Sequence, residues 1–242
     1  MKFCNVTERT YGMSIIRIIL TISLTALLTA CASTPQINFT YDPKAVVETL
    51  TSEVSISMQT SERGMSGSGF MAYQRPDKLH LLLLSPFGTT LFEVFVLDQQ
   101  LYLIYPSQGV AYVGNIAELP DKAGMHGWRM MRWVMDSEPP GPATPDGERE
   151  RMGKSGIRER ITLKSGLITA KQTTDGNQVY YGNYALINGV PLAAEIDIRN
   201  HLNDQIRMKL IEPEVNMPLD TAAITPKLDG LKVLPLSEIE HM

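Results

Sequence analysis

At 242 residues, with 43% hydrophobic and 20% charged side chains, the chain is long enough for one sizeable core and too apolar for wholesale disorder. A net charge of −4 argues against broad nucleic-acid binding. Two cysteines, Cys4 and Cys31, give no disulfide framework.

Residues 18–28 form an apolar run with Arg17 just before it. That length suits a signal core and falls short of a spanning helix, which takes about 20 residues. The run closes on Leu28-Thr29-Ala30-Cys31, the pattern of a bacterial lipoprotein signal: cleavage before Cys31, then acylation of Cys31. Ala32 follows, where an Asp would favour inner-membrane retention, so the expected address is the periplasmic face of the outer membrane, through the lipid anchor. Starting at Met13 gives a more compact leader, free of Glu8. Loss of residues 1–30 removes Lys2, Arg9, Arg17 and Glu8 and takes the net charge from −4 to −6. Cys4 leaves too, and a lipid-blocked Cys31 forms no disulfide. The expected organisation is a signal peptide over 1–30, a lipidated tether over 31–44 and one folded domain over 45–242.

Pro35 and Pro43 oppose regular structure in the tether, and Asp42-Pro43 predicts a short helix over 45–51. Period-two alternation follows. Val54, Ile56 and Met58 alternate with serines. The run Arg63-Gly64-Met65-Ser66-Gly67-Ser68-Gly69 lacks the Lys-Ser/Thr of a phosphate loop and reads as a hairpin turn leading into a strand at 70–73. Further strands are expected at 79–84, 91–97, 101–105 and 110–113, with a turn at Ser85-Pro86-Phe87-Gly88. Phe92, Val94 and Val96 share one face of their strand, and Leu91, Glu93, Phe95 and Leu97 the other. Residues 122–135 predict an amphipathic helix whose apolar face carries Trp128, Met131 and Met135. Residues 136–156 read as a long polar loop. Strands resume at 160–163, 167–173, 179–184, 192–198 and 206–210, with one covered and one wet face. The tail from Glu212 is punctuated by prolines, with a last edge segment over 224–233.

His80, His126, His201 and His241 are scattered, with no partner at zinc-ligand spacing, so no metal is expected. No Gly-x-Ser-x-Gly elbow is present. Glu148 and Glu150 alternate with Arg149 and Arg151, the pattern of a solvated charge run rather than an acid/base pair. The expectation is a protein that is not an enzyme and needs no cofactor. Two readings of the apolar residues stay open: a methionine-lined hollow for varied guests, or a filled core.

Several segments resemble one known family, LolB, the outer-membrane lipoprotein receptors. The run Asp77-Lys78-Leu79-His80-Leu81-Leu82-Leu83-Leu84-Ser85-Pro86-Phe87-Gly88-Thr89-Thr90 resembles its leucine-rich strand leading through a Pro-apolar-Gly turn into the next strand. Gly67-Ser68-Gly69-Phe70, Met130-Met131-Arg132-Trp133-Val134-Met135, Tyr181-Gly182-Asn183-Tyr184 and Val190-Pro191-Leu192 resemble other segments of the family in the same order. The likeness covers about residues 50–211. Three departures stand out: Met71-Ala72-Tyr73 where the family has a tryptophan, a long loop at 136–156, and a tail past Pro213.

The resemblance implies an α+β fold, a curved antiparallel β half-barrel with a few helices over its mouth, in the LolA/LolB superfamily. It implies acyl chains of lipoproteins as ligands, a periplasmic lipoprotein carrier as partner, and receipt or insertion of lipoproteins at the outer membrane. Pro86, Phe87 and Gly88 match the family's membrane-insertion turn; the alternative for Phe87 is a side chain folded back on the core. Candidate acyl-cavity residues are Ile56, Met58, Leu81, Leu83, Phe92, Val94, Val96, Trp128, Met131 and Trp133, although strand parity cannot say which face is concave. The competing reading is an accessory envelope lipoprotein that uses the same fold to dock a protein partner.

Overall fold

The computed structural model describes residues 40–60, 64–119, 126–154, 156–201 and 204–241. Cys31, the leader, most of the expected tether and Arg63 lie outside them. Asn38–Met242 forms one compact unit.

Thirteen strands make a single sheet: β1 (Thr49–Gln59), β2 (Gly64–Gln74), β3 (Lys78–Leu84), β4 (Thr90–Leu97), β5 (Gln100–Tyr105), β6 (Val110–Asn115), β7 (Gly147–Met152), β8 (Arg158–Lys164), β9 (Leu167–Thr173), β10 (Gln178–Ile187), β11 (Val190–Arg199), β12 (Gln205–Val215) and β13 (Lys232–Pro235). Their order is β13-β6-β5-β4-β3-β2-β1-β12-β11-β10-β9-β8-β7, so the sheet is open, with edges at β13 and β7. Every neighbouring pair is antiparallel except β13 with β6. The first meander and the second are joined by β1 and β12, the two strands most distant in sequence that pair.

One helix, α1 (His126–Met135), lies between the two meanders in sequence. Trp128, Met130, Met131, Trp133 and Val134 are buried, and they share one apolar cluster with residues of both arms of the sheet. The sheet therefore curls so that one face encloses α1. The expected few helices reduce to this one among the described residues, with short 3-10 turns elsewhere. The predicted helix over 45–51 does not form. Asp42 only closes a turn, its carbonyl accepting from Ala45 N at 2.8 Å, and β1 takes over from Thr49. Within the expected tether, Tyr41 is buried and its hydroxyl donates to Gly166 O at 2.9 Å.

The glycine-serine run is not a turn. Gly64 to Gly69 belong to β2, in register with β1. A Cβ on Gly69 would lie 1.8 Å from Leu82 O, and one on Gly67 2.8 Å from Leu84 O. The glycines let β3 close against β2 where a side chain would wedge the strands apart.

Residues 136–156 are likewise not all loop. Gly147–Met152 pairs with β8 as the edge strand β7. Its alternating Glu and Arg are compatible with a strand because both its faces are largely wet.

The outer face is not uniformly wet. Phe95, Ile104 and Ala111 form a second cluster there, covered by Leu228 and Leu231 of the C-terminal segment. That segment crosses the outer face, where His80 Nδ1 donates to Ala223 O at 2.7 Å and the His80 ring stacks on Phe95 at 3.9 Å. It then pairs with β6 as β13, a shorter and later edge segment than the sequence predicts, and buries Leu236 and Ile239 in the main cluster.

Replacing Gly69 by Ala should lower stability by about 1–3 kcal/mol, because the new methyl meets backbone that cannot yield. Gly64→Ala, whose Cβ would be 3.6 Å from its nearest neighbour, should cost little. Urea midpoints compare the two, and an unchanged midpoint for Gly69→Ala would contradict this account of the glycine run.

Candidate functional site

The inner face gathers the predicted cavity residues. Ile56 on β1, Leu81 and Leu83 on β3, and Val94 and Val96 on β4 are buried with Trp128, Met131 and Trp133 of α1. Met58 and Phe92 are half-buried and pack on the same cluster. The ring of Phe92 meets that of Trp128 edge-on at 6.2 Å, which ties β4 to the helix. Parity put the side chains of each strand on one face because successive residues point to opposite faces; the covering helix makes that face the inner one.

These residues do not line an open hollow. They pack against one another, and the adjoining cavity is small, about 80 Å³. It opens beside the C-terminal end of α1, between Tyr73, Arg75, Met135, Glu138 and Lys154. A narrower apolar recess shares Tyr73 and Met135 with it and reaches Leu79, Val96 and Met131. The mouth is polar: Arg75 and Lys154 both pair with Glu138, and Arg132 lies 3.5 Å from Asp77.

A buried polar cluster holds the helix in place. The last carbonyls of a helix have no partner within it and need one from outside. Here Tyr181 of β10 donates to Val134 O at 2.6 Å, and Lys171 of β9 donates to Trp133 O and, at 2.7 Å, to Asp136 O. Glu159 of β8, 1% exposed, accepts from Trp133 Nε1 at 2.5 Å and from Arg151 Nε at 2.6 Å. It lies 3.6 Å from Lys171 Nζ, which also sits 4.7 Å over the Trp133 ring. Burial pulls the Lys171 ammonium down to about 8, partly offset by the Glu159 charge. Tyr181 lies in a segment that resembles the family and Arg151 in the charge run, but the sequence does not predict that these two, Glu159 and Lys171 meet at the helix. The available signal was Glu159 occupying the inward phase shared by Ile161 and Leu163, a carboxylate where parity calls for an apolar side chain.

The turn at Ser85-Pro86-Phe87-Gly88 contrasts with this closed interior. Phe87 is 92% exposed, so it does not fold back on the core. The turn that presents it is well tied. Gly88 N donates to Ser85 O at 2.9 Å, and Ser85 N to Thr89 O at 2.8 Å. Ser85 Oγ accepts from Phe87 N and Thr89 N, each at 3.2 Å. Gly88 takes a left-handed φ of 78°, which glycine adopts without strain. Local hydrogen bonds thus hold an aromatic ring in solvent.

Among the described residues, no group of three or more His, Cys, Asp or Glu side chains is arranged to hold a metal ion. No described helix is long and apolar enough to cross a membrane.

An open, mostly antiparallel sheet around one helix is a fold shared with solved proteins. A DUF1329 family protein from Desulfovibrio piger ATCC 29098 matches with a TM-score of 0.54 at 10% identity, over 74% of this chain and 90% of that one. A domain provisionally assigned as an outer membrane lipoprotein-sorting protein, from Vibrio parahaemolyticus, matches with a TM-score of 0.51 at 7% identity, over 73% and 88%. No curated protein matches the sequence. The family model described as outer membrane lipoprotein LolB matches residues 49–212, and the chain belongs to that family. The matched span runs from the start of β1 almost to the end of β12, so the outer-face segment and β13 lie beyond it.

Replacing Lys171 by Met leaves helix carbonyls and Glu159 short of partners and should cost about 3 kcal/mol or more. The pH dependence has a defined sign. The folded-state value of Lys171, about 8, lies below its ordinary 10.5, so between pH 8 and about 10 the unfolded chain binds more protons and this group makes stability rise. Above that, Tyr181 and Tyr184, both raised by burial, act in the opposite sense. Denaturant midpoints across pH 7–10 should show the wild-type rise and its loss in Lys171→Met; parallel curves would contradict the assignment.

Proposed function

We propose that this protein, acylated at Cys31 and anchored at the periplasmic face of the outer membrane, receives lipoproteins from a periplasmic carrier and helps insert them. The observation that carries the reading is Phe87: a 92% exposed aromatic side chain on a hydrogen-bonded turn, in a member of the LolB family. A ring held in water by its turn stays free for a bilayer or partner to receive.

Acyl chains bind, in this reading, on the inner face of the sheet. The cavity of about 80 Å³ is well below the roughly 300–1,000 Å³ typical of ligand pockets, so the structure is a closed state and α1 must move to admit a chain. Arriving lipid supplies about 0.8 kcal/mol per buried methylene, on the order of 10 kcal/mol for one long chain. Displacing α1 uncovers side chains worth about 1.5–3 kcal/mol each. Uncovering the five buried side chains of α1 therefore offsets much of that gain, which lets the lipid leave again. Handover needs only a modest preference over the carrier, since ~1.4 kcal/mol is tenfold. Nothing in this sequence of events calls for catalysis or a cofactor.

One observation favours the second reading, an accessory lipoprotein that docks a protein partner: the inner face is filled by α1 rather than open. A lipopeptide titration separates the two. The unacylated unit 38–242, which contains the whole described core, should bind a fluorescent diacylated lipopeptide saturably at micromolar strength or better. No saturable signal would remove the lipid-handling reading. Phe87→Glu should leave stability within ~0.5 kcal/mol, as surface changes usually do. It should nevertheless impair delivery of lipoproteins to the outer membrane in a depletion strain. Normal delivery would exclude the turn's proposed role.

A further inference from the structure

We infer that the free edge of β7 takes the peptide following a client's lipidated cysteine as an added strand of the sheet. The inference rests on the acyl-binding reading above and states where the client's polypeptide goes once its lipid is held.

The edge is available and its phase is fixed. Among the described residues β7 pairs with β8 alone. Gly153 N donates to Ile157 O at 2.9 Å and closes the β7–β8 hairpin. Counting back in steps of two, Arg151, Arg149 and Gly147 direct their backbone groups to β8. The N–H and C=O groups of Glu148, Glu150 and Met152 therefore face outward, and all three residues are exposed. The other edge is a poorer template: β13 has four residues and ends in Pro235.

A second copy of this chain does not fit that edge in an antiparallel pairing. Residues facing each other across an antiparallel ladder share the same phase. Glu148 and Glu150 can then face only Glu148, Glu150 or Met152 of a second β7, and Arg149 only Gly147, Arg149 or Arg151. Each register with substantial overlap sets glutamate against glutamate or arginine against arginine, and like charges directly opposite are unfavourable. An uncharged extended peptide meets no such repulsion. This chain's own residues 32–41, Ala-Ser-Thr-Pro-Gln-Ile-Asn-Phe-Thr-Tyr, show what a peptide after a lipidated cysteine can look like: no charge throughout.

Position links the edge to the lipid. β7 runs from Met152 through Gly153 into Lys154, which lines the cavity mouth and whose N–H donates to Asp136 Oδ2 at 2.8 Å. A lipid held beside Met135 thus leaves its peptide at the end of the edge strand. Strand addition binds mainly through backbone groups, which carry no sequence information. That suits clients sharing a lipid and not a sequence.

Glu150→Pro tests this directly. The N–H of Glu150 faces outward, so proline deletes an edge donor without cutting a β7–β8 bond. Two probes are titrated into unit 38–242: a diacylglyceryl-cysteine amide, and the same lipid carrying an uncharged peptide linker. The wild type should bind the linker-bearing probe about tenfold more tightly, the gain of two or three net backbone hydrogen bonds. Glu150→Pro should lose that gain and bind the linker-free probe as the wild type does. A variant that keeps the gain, or a wild type that shows none, overturns the inference and leaves acyl binding intact. A wild type that binds neither probe overturns the acyl-binding reading and this inference with it. If the variant does not fold, the wild type is titrated with a linker N-methylated at alternate amides: loss of the gain is expected, and its retention overturns the inference.

Discussion

The C-terminal end of α1 is buried, and its carbonyls must find donors. Lys171 and Tyr181 supply them, and Glu159 balances the lysine while accepting from Trp133. Without these bonds the second meander would have no polar reason to close over a helix that the first meander also covers. The arrangement fixes more than stability. It brings β8, β9 and β10 to the same helix that Phe92 contacts from β4, and so sets the curl of the sheet. A buried charged group satisfied only by its neighbours is costly to disturb, and it makes the position of α1 nearly all-or-none.

That constraint gives the closed interior a functional sense. A cavity that stood open and apolar would be wetted or would collapse; one filled by a helix is neither. In the proposed function, the apolar face of α1 stands where a guest would lie. Its unbranched methionines suit such a place, because they repack around different shapes. Outside, Phe87 on its tied turn and the edge of β7, unpaired among the described residues, are two surfaces the closed core leaves unsatisfied, one apolar and one polar. In the proposed function the first would meet the bilayer and the second the client's peptide.

Much of the framework was legible from alternation. The strand containing Val94 and Val96 reads correctly because turns bound it on both sides, although both of its faces bury apolar side chains. The strand at 167–173 has matching bounds because turns flank it on both sides. Alternation failed where both faces are similar. The Glu-Arg repeat of β7 reads as loop because neither face is apolar, and the first part of β2, up to Gly69, reads as a turn because its glycines carry no side chain to alternate. The helix expected after Asp42 had only local signals, and pairing of β1 with β12, 146 to 165 residues away, outweighs them. The cavity residues were brought together on one face, but their closure over a helix depends on Glu159, Lys171 and Tyr181. Those three lie on three different strands and meet only in three dimensions.

The chain has two tryptophans, Trp128 and Trp133, and both lie on α1 within the core. Their emission reports directly on whether lipid takes the place of the helix. The most direct measurement is tryptophan emission of unit 38–242 titrated with a lipopeptide whose acyl chains carry a short-range quencher. Bound chains beside a displaced α1 should quench the emission in proportion to occupancy, up to one ligand per protein. Emission that stays unquenched while the lipopeptide is fully bound would contradict the account, because the lipid would then lie somewhere other than the inner face.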